Sequence, residues 1–394
     1  MTRHRIRVAI CGDFPEEGWP SMDRFRAMLL EQIGGRHAST FDAASACPEY
    51  ARRATRAAPD ARAAINADRF CNRFWDYPRH LRRIAAGFDL FHVVDHSYAH
   101  LVHALPANRT VVTCHDVDAF RSVVAPGEER RSGAFRFATR RILAGLQRAA
   151  AVTCVTAATE RDLVAHGLVP RERTLVVHPG VADVFRRAPD PAAARTAATL
   201  AGGTDDVIDL LHVGSTIPRK RIDVLLRVCA GVRLAHPSVR LLRVGGLLTP
   251  EHREIARQAG LGDDRIVDIG PIDDATLAAL YRRSAILLQP SEREGFGLPL
   301  VEALASGTPI VASDIEALRE VGGDAVEYAA VADVNQWTAT VERLIRERRD
   351  DPARWETRRE RGRARADAFT WKAFGDRIVT LYESLSIASA RHIA

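Results

Sequence analysis

The sequence predicts two α/β domains in series, each a doubly wound parallel sheet of the Rossmann type. Three observations carry this expectation. The chain has 394 residues, and at roughly 100–200 residues per domain that length favours two. Short apolar, β-branched runs alternate with helical periodicity through most of it, the pattern of strand–helix–strand units with a parallel sheet. The alternation pauses once, at 188–206, where the text turns rich in Pro, Ala, Gly and Thr, and then restarts.

In the first half, strands are expected at 6–10, 90–94, 111–114, 152–156 and 174–177, each a brief run rich in apolar and β-branched residues. Helical stretches fall between them at 22–33, 78–86, 97–105, 133–149 and 159–166. In the second half the expected strands are 209–213, 240–244, 265–269, 285–289 and 309–312, with helices starting near Ile222, Pro250, Asp273, Pro299 and Asp314. Residues 341–368 form a charge-rich helical stretch expected to present a solvated face, and a last amphipathic helix covers 371–385. The domain expectation is therefore 1–187, a linker at 188–206 with a helical turn or more of Ala-rich sequence between its ends, 207–370, and a terminal helix within 371–394.

Composition narrows the function. The chain is 46% hydrophobic and 27% charged, ordinary for a water-soluble enzyme. No uninterrupted apolar run is long enough to span a bilayer, and the first residues lack a signal peptide's apolar core, so a cytoplasmic protein is expected. Six scattered cysteines without a CxxC argue against disulfides and structural zinc. A formal net charge of +6 suits an anionic small molecule or an anionic membrane surface and is too mild to indicate nucleic acid. Only two residues are lysine, Lys220 and Lys372, so the setting of each is informative.

The most telling segment is 294–309, EGFGLPLVEALASGTP. It follows a strand ending near Gln289, and Pro299 stands where a helix would begin. Ligands of open α/β sheets bind at the carboxyl ends of strands, where helix starts offer N–H groups and a positive dipole end. Gly295 and Gly297 let backbone come close to a ligand. Glu294 and Glu302, eight apart around this loop, can accept hydrogen bonds from hydroxyl groups.

The second segment is 212–226, HVGSTIPRKRIDVLL. A strand ends at Gly214, and Arg219, Lys220 and Arg221 precede a helix. Cations at a helix start oppose its dipole, whereas an anion lying between them and the helix would make the placement favourable. Arg219 and Lys220 together suit a diphosphate, one offering a fork of donors and the other a mobile charge.

The third is His115-Asp116-Val117-Asp118, directly after a strand, preceded by Asp95, His96 and Tyr98 after another. The DxD in this run resembles a metal-binding motif. It lies in the half opposite the basic pair, which itself supplies charge neutralisation, so no metal is expected.

These segments resemble the E-x7-E signature of retaining glycosyltransferases of family 4, with the GT-B fold: two Rossmann-like domains facing across a cleft. The resemblance implies that Glu294 contacts the donor sugar with the Gly295-Phe296-Gly297-Leu298 backbone, and that Glu302 binds the nucleotide ribose. It assigns Arg219 and Lys220 to the departing diphosphate, places Gly214 and Ser215 beside it, and brings Ile269 near the base. His115 and Asp116 join Arg219, Lys220 and Glu294 as the catalytic set. Gly18, Ser21, Asp95, His96 and Tyr98 fall on the acceptor side. The loop 12–22, GDFPEEGWPSM, lacks the Gly-Gly pair usual in the family's acceptor loop.

The activity so implied is metal-independent, retaining transfer of a hexosyl group from a UDP- or GDP-sugar to a glycan, a lipid-linked acceptor or a small molecule. No cofactor beyond this nucleotide diphosphate sugar is expected. The competing readings are a GT-B epimerase or phosphorylase, and a non-catalytic nucleotide-sugar binder. Arginines and apolar residues alternate through 130–148, which adds a possible peripheral contact with the inner face of a membrane.

Overall fold

The computed structural model describes residues 5–127, 129–202 and 207–391. The last four residues of the expected linker, 203–206, and the end of the terminal segment, 392–394, lie outside the described residues. Contacts divide the chain into two units, Met1–Pro179 with Trp371–Ala394, and Gly180–Thr370.

The first unit is built on six parallel strands: β1 (Ile6–Cys11), β2 (Phe41–Ser45), β3 (Leu90–Val93), β4 (Thr110–Cys114), β5 (Ala151–Cys154) and β6 (Thr174–Val176). Their spatial order is β2-β1-β3-β4-β5-β6, so the chain winds outward from β1 to β2 and then returns to the other side of β1 as β3. The crevice at the carboxyl ends of β1 and β3 is this sheet's topological switch point. β3, β4 and β5 are buried along their whole length, which is why they read as continuous apolar runs.

The edge strand β2, Phe-Asp-Ala-Ala-Ser, has one fully buried residue. Lacking any apolar run, it went unforeseen by periodicity. The terminal helix Trp371–Arg391 packs Trp371, Phe374, Ile378 and Tyr382 against Val8, Ile10 and Phe41 of this sheet. A buried polar thread ties helix to sheet: Tyr382 Oη lies 2.6 Å from His92 Nδ1, and His92 Nε2 lies 2.7 Å from Thr113 Oγ1.

The second unit also has six parallel strands: β7 (Ile208–Gly214), β8 (Val239–Gly245), β9 (Ile266–Ile269), β10 (Ile286–Gln289), β11 (Ile310–Ser313) and β12 (Glu327–Ala329). The order β12-β11-β10-β7-β8-β9 puts its switch point between β7 and β10. Within the expected linker, Pro191–Ala201 is a helix capped by Asp190, with Ala193, Ala197 and Ala201 buried.

The charge-rich tail is two helices, Val334–Asp350 and Pro352–Ala366, divided at Asp351-Pro352. Its arginines are less solvated than the expected open face. Arg358 bridges Glu327 and Glu347, Arg359 donates to Gly307 O at 2.9 Å and Arg365 to Val321 O at 2.8 Å, while Trp337 and Leu344 enter the core. Among the described residues, no helix is long and apolar enough to cross a membrane.

Candidate functional site

In the second unit the switch point is built by the turn after β7 and the loop after β10. β7 leaves Gly214, passes through a short turn at Pro218–Lys220, and enters the helix Ile222–Ala235 at Arg221. Arg221 has φ 50° and ψ 50°, a left-handed conformation costly for a side chain with Cβ. Its guanidinium is held on Asp223 by two hydrogen bonds of 3.0 Å. Of the three cations foreseen at this helix start, Arg221 is thus committed to Asp223 and lies 3.7 Å from Glu292. Arg219 and Lys220 are the two that reach Glu294.

Glu294 is the hub. Its side chain is 6% exposed, and its Oε1 accepts from Lys220 Nζ at 2.6 Å, Ser291 Oγ at 2.7 Å and Gln289 Nε2 at 2.9 Å. Arg219 lies 3.9 Å from Oε2 and also donates to Arg293 O at 3.2 Å. Burial pushes the carboxyl pKa up, but the Lys220 and Arg219 charges and the hydrogen bonds outweigh burial and hold it down at about 2. Gln289 and Ser291 carry no motif signal of their own and were missed by sequence reasoning. Their proximity to Glu294, five and three residues before it, was the available clue.

The loop then turns at Gly297 into the helix Leu298–Ser306. Gly297 has φ 86°, and a Cβ there would lie 2.7 Å from Leu318 Cδ2, so both conformation and space require glycine. Among the described residues, no side chain caps this helix start. Glu302 in its second turn is 4% exposed, and its Oε2 accepts from Tyr281 Oη at 3.0 Å. On the other side of β7, a Cβ at Gly245 (φ 116°) would sit 2.6 Å from Gly214 O. The buried Arg243 donates to Gly214 O at 3.0 Å and to Gly246 O, and pairs with Asp268 at 3.4 Å. It therefore fixes the turn carrying Ser215 against the end of β8, next to Ile269 at the end of β9.

In the first unit, the ends of β3 and β4 bring together Asp95, His96, His115 and Asp116. Asp95 caps the following 3-10 helix His96–Ala104, accepting from Ser97 N at 2.8 Å and Ser97 Oγ at 2.6 Å. His96 lies between two carboxylates, with Nδ1 3.2 Å from Asp95 Oδ1 and Nε2 3.6 Å from Asp116 Oδ1. His115 Nε2 donates to Val94 O at 2.8 Å, and burial keeps the imidazole below its ordinary pKa, hence neutral at pH 7. Asp116 Oδ1 also accepts from Asp118 N at 3.0 Å, a local turn that explains the DxD spacing.

Tyr98 stands apart from this group. It is fully buried, its hydroxyl accepts from Phe14 N at 3.4 Å, and Arg73 covers its ring at 4.0 Å. The helix after Asp95 turns the ring inward, so Tyr98 braces the loop after β1. Gly18 and Ser21 are exposed near the start of the helix Pro20–Glu31, outside the Asp95–Asp116 group. Sequence reasoning missed Asp13, Glu17 and Arg73. The two acids lie in the loop after β1 with Arg73 beside them: Glu17 is 3.7 Å from Arg69 and 3.8 Å from Arg73, and Asp13 is buried against Asp95.

Comparison with known proteins adds a second line. Residues 202–365 match the family model described as glycosyl transferases group 1, and residues 37–184 match glycosyltransferase family 4. A D-inositol 3-phosphate glycosyltransferase from Geodermatophilus obscurus is 35% identical over 255 residues, covering 60% of this chain and 54% of the relative. One from Streptomyces avermitilis is 32% identical over 269 residues, 64% of this chain and 56% of the relative. The chain thus spans about half the length of the curated relatives it matches.

Among solved structures, sucrose-phosphate synthase from Thermosynechococcus elongatus superposes with a TM-score of 0.74 at 20% identity, covering 98% of this chain and 100% of that one. HepE from Anabaena in complex with UDP and glucose gives a TM-score of 0.72 at 15% identity, covering 96% and 100%. At such identities the likeness is one of fold.

Proposed function

The chain belongs to the family-4, group-1 glycosyltransferases of the GT-B fold, and from that premise we propose that it transfers a hexosyl group from a nucleoside diphosphate sugar with retention of configuration and without a metal. The observation that carries this reading is Glu294, buried at the switch point of the second sheet and held ionised by Lys220 beside Arg219. A carboxylate among cations at that position suits a ligand combining polyhydroxyl and polyanion.

In the proposed sequence the diphosphate draws Lys220 and Arg219 onto its oxygens, and Glu294 turns from Lys220 to the sugar hydroxyls. Glu302, held by Tyr281, takes the ribose, and Ile269 lies beside the base. The bond from the anomeric carbon to the phosphate oxygen then breaks, with its electron pair leaving on the diphosphate. The two cations stabilise that charge as it grows. An acceptor oxygen forms the new bond on the same face and loses its proton to the departing phosphate. Asp95, His96, His115 and Asp116 are the proposed acceptor-side group.

UDP or GDP is the expected nucleotide. HepE was solved with UDP and glucose, which favours testing UDP-glucose first. The decisive experiment is a thermal-shift and transfer screen of the full chain against UDP-, GDP-, ADP- and TDP-sugars in EDTA. Stabilisation by one nucleotide series, with transfer to an added acceptor, supports the proposal. Turnover without acceptor points to an epimerase, a requirement for inorganic phosphate to a phosphorylase, and binding without turnover to a non-catalytic protein.

A peripheral membrane contact has one favouring observation. Phe135 and Phe137 on the helix Gly133–Arg148 are 46% and 70% exposed among arginines. Flotation with anionic but not neutral vesicles tests it.

A further inference from the structure

The switch point of the first sheet gathers three carboxylates, Asp13, Glu17 and Asp95, and two of them are provided for within the unit. Glu17 lies within 4 Å of both Arg69 and Arg73. Asp95 accepts two hydrogen bonds from Ser97 and has His96 beside it. Asp13 is different. It is 4% exposed, and among the described residues no donor reaches either of its oxygens. What lies against it is the carboxyl of Asp95. Arg73 is already engaged, donating to Ser97 O and Oγ at 2.9 Å while stacked on Tyr98.

A buried carboxylate with no donor is costly, and a second carboxylate in contact with it raises the cost. In the free protein a proton on Asp13 relieves that cost, and a neutral hydroxyl from a ligand would leave it in place. A phosphate would be repelled by Asp95. A cation bearing several N–H donors can take that proton's place and give donors to both carboxylates. The pair also straddles the position where this fold class places its ligands, Asp13 following β1 and Asp95 following β3. We propose that the acceptor is a cationic polyol, an amine-bearing sugar or cyclitol, with its ammonium group held by Asp13 and Asp95.

This rests on the glycosyltransferase reading above and names the class of its acceptor. A hollow of about 430 Å³ lies beside the same loop, lined by Pro15, Glu16, Arg26, Cys47 and Tyr50 among others, of which Arg26 and Cys47 also donate to the Asp13 backbone carbonyl at 3.4 and 3.6 Å. Burial and the Asp95 charge both favour a proton on Asp13 in the free protein, and that proton leaves when the ammonium arrives. The curated relatives are named for a phosphorylated acceptor, a class of opposite charge to the one proposed here.

Calorimetric titration of the EDTA-treated full chain, with UDP present and absent, tests the inference. The probes are the amines streptamine and glucosamine, their hydroxyl counterparts scyllo-inositol and glucose, and glucose 6-phosphate as the anion. At least one amine should bind tenfold or more tightly than its hydroxyl counterpart, with glucose 6-phosphate weakest. Asp13→Asn should bring each amine and its counterpart within twofold, and Asp13→Ser serves as the second variant if circular dichroism shows the first to be misfolded.

The inference is overturned if no amine is preferred, if the phosphate binds best, if the preference persists in a folded Asp13 variant, or if it appears only with added Mg²⁺. The UDP titration of the unaltered chain is read separately. A missing nucleotide response with an intact amine preference would remove the donor reading and leave amine binding at Asp13 without an assigned transfer.

Discussion

At the switch point of the second sheet a carboxylate meets cations; at that of the first, a carboxylate meets another carboxylate. Both sheets are six-stranded and parallel but wound differently, the chain reversing direction after one outward strand in the first and after two in the second, and each brings the loops after two neighbouring strands to one crevice. Glu294 there is tied down by Lys220, Gln289 and Ser291, whereas the Asp13 carboxyl lies against that of Asp95, with Arg73 as a partial counter-charge. The fold therefore sets where a ligand goes, and the few side chains after the strands set its charge. On the proposed reading the second crevice takes an anion with hydroxyls, and the first something positive.

The most severe way to break this comparison is to remove the cation from the second crevice. Lys220→Ala should lower kcat with saturating donor by about 10²–10³-fold, the scale on which a preorganised charge acts at a developing anion. The variant leaves Glu294 without its closest counter-charge, so circular dichroism must first show it folded. A folded Lys220→Ala enzyme within threefold of the unaltered one would end the proposed role of the basic pair.

The next test reads the opposite electrostatics as opposite pH signatures. Burial, the Asp95 charge and Glu17 push the Asp13 carboxyl up, to about 9, against the partial opposition of Arg73. The folded chain then keeps a proton that the unfolded chain releases near pH 4, so stability is lost as pH rises between about 4 and 9. Asp13→Asn abolishes that loss and should be more stable than the unaltered chain at pH 8 by roughly 5 kcal/mol, with little difference at pH 4.

Glu294 runs the other way. Its pKa is held at about 2, so its contribution is present above the ordinary glutamate value of about 4.3 and is lost as pH falls towards 2. Glu294→Gln should therefore destabilise at pH 7 and approach neutrality below about pH 3. Thermal unfolding across this range shows both slopes, and parallel slopes would refute the contrast.

A smaller effect is expected from Tyr281→Phe, which removes the 3.0 Å hydrogen bond to Glu302. A hydrogen bond to a charged group contributes about 1.5 kcal/mol or more, so the UDP Kd should rise roughly tenfold. kcat at saturating donor should change little, because the ribose is remote from the breaking bond. A fall in kcat with an unchanged Kd would move Glu302 away from the ribose.

How much of this was legible in sequence depends on how local each signal is. The inner strands were readable because burial on both faces demands continuous Val, Ile and Leu, whereas β2 and β12 are edge strands of five and three residues with mixed exposure. Glu294, Glu302 and Lys220 stood out because a loop and the helix after it place them within short spans. The Asp13–Asp95 contact joins residues far apart in sequence through the sheet order, and the Arg73–Tyr98 stack arises likewise, so no spacing announces either. Tyr98 was placed with the acceptor group because it follows a strand end; the 3-10 turn that buries it is a matter of backbone geometry rather than residue type.

The finest test concerns how firmly Glu294 is held. Three donors converge on Oε1, of which Gln289 and Ser291 are uncharged, and Ser291 makes the shorter of those two bonds, 2.7 Å. If the second crevice works by presenting an oriented carboxylate, loss of this single bond should loosen Glu294 without discharging it. Ser291→Ala is then expected to reduce kcat/KM by about fivefold, near the ~1 kcal/mol of one hydrogen bond, with UDP binding unchanged because the phosphate cations stay in place. Ser291→Thr, which keeps the hydroxyl, should recover most of the loss. An equal loss in both variants would assign the effect to packing around a buried residue, and the contrast between the crevices would then rest on charge alone.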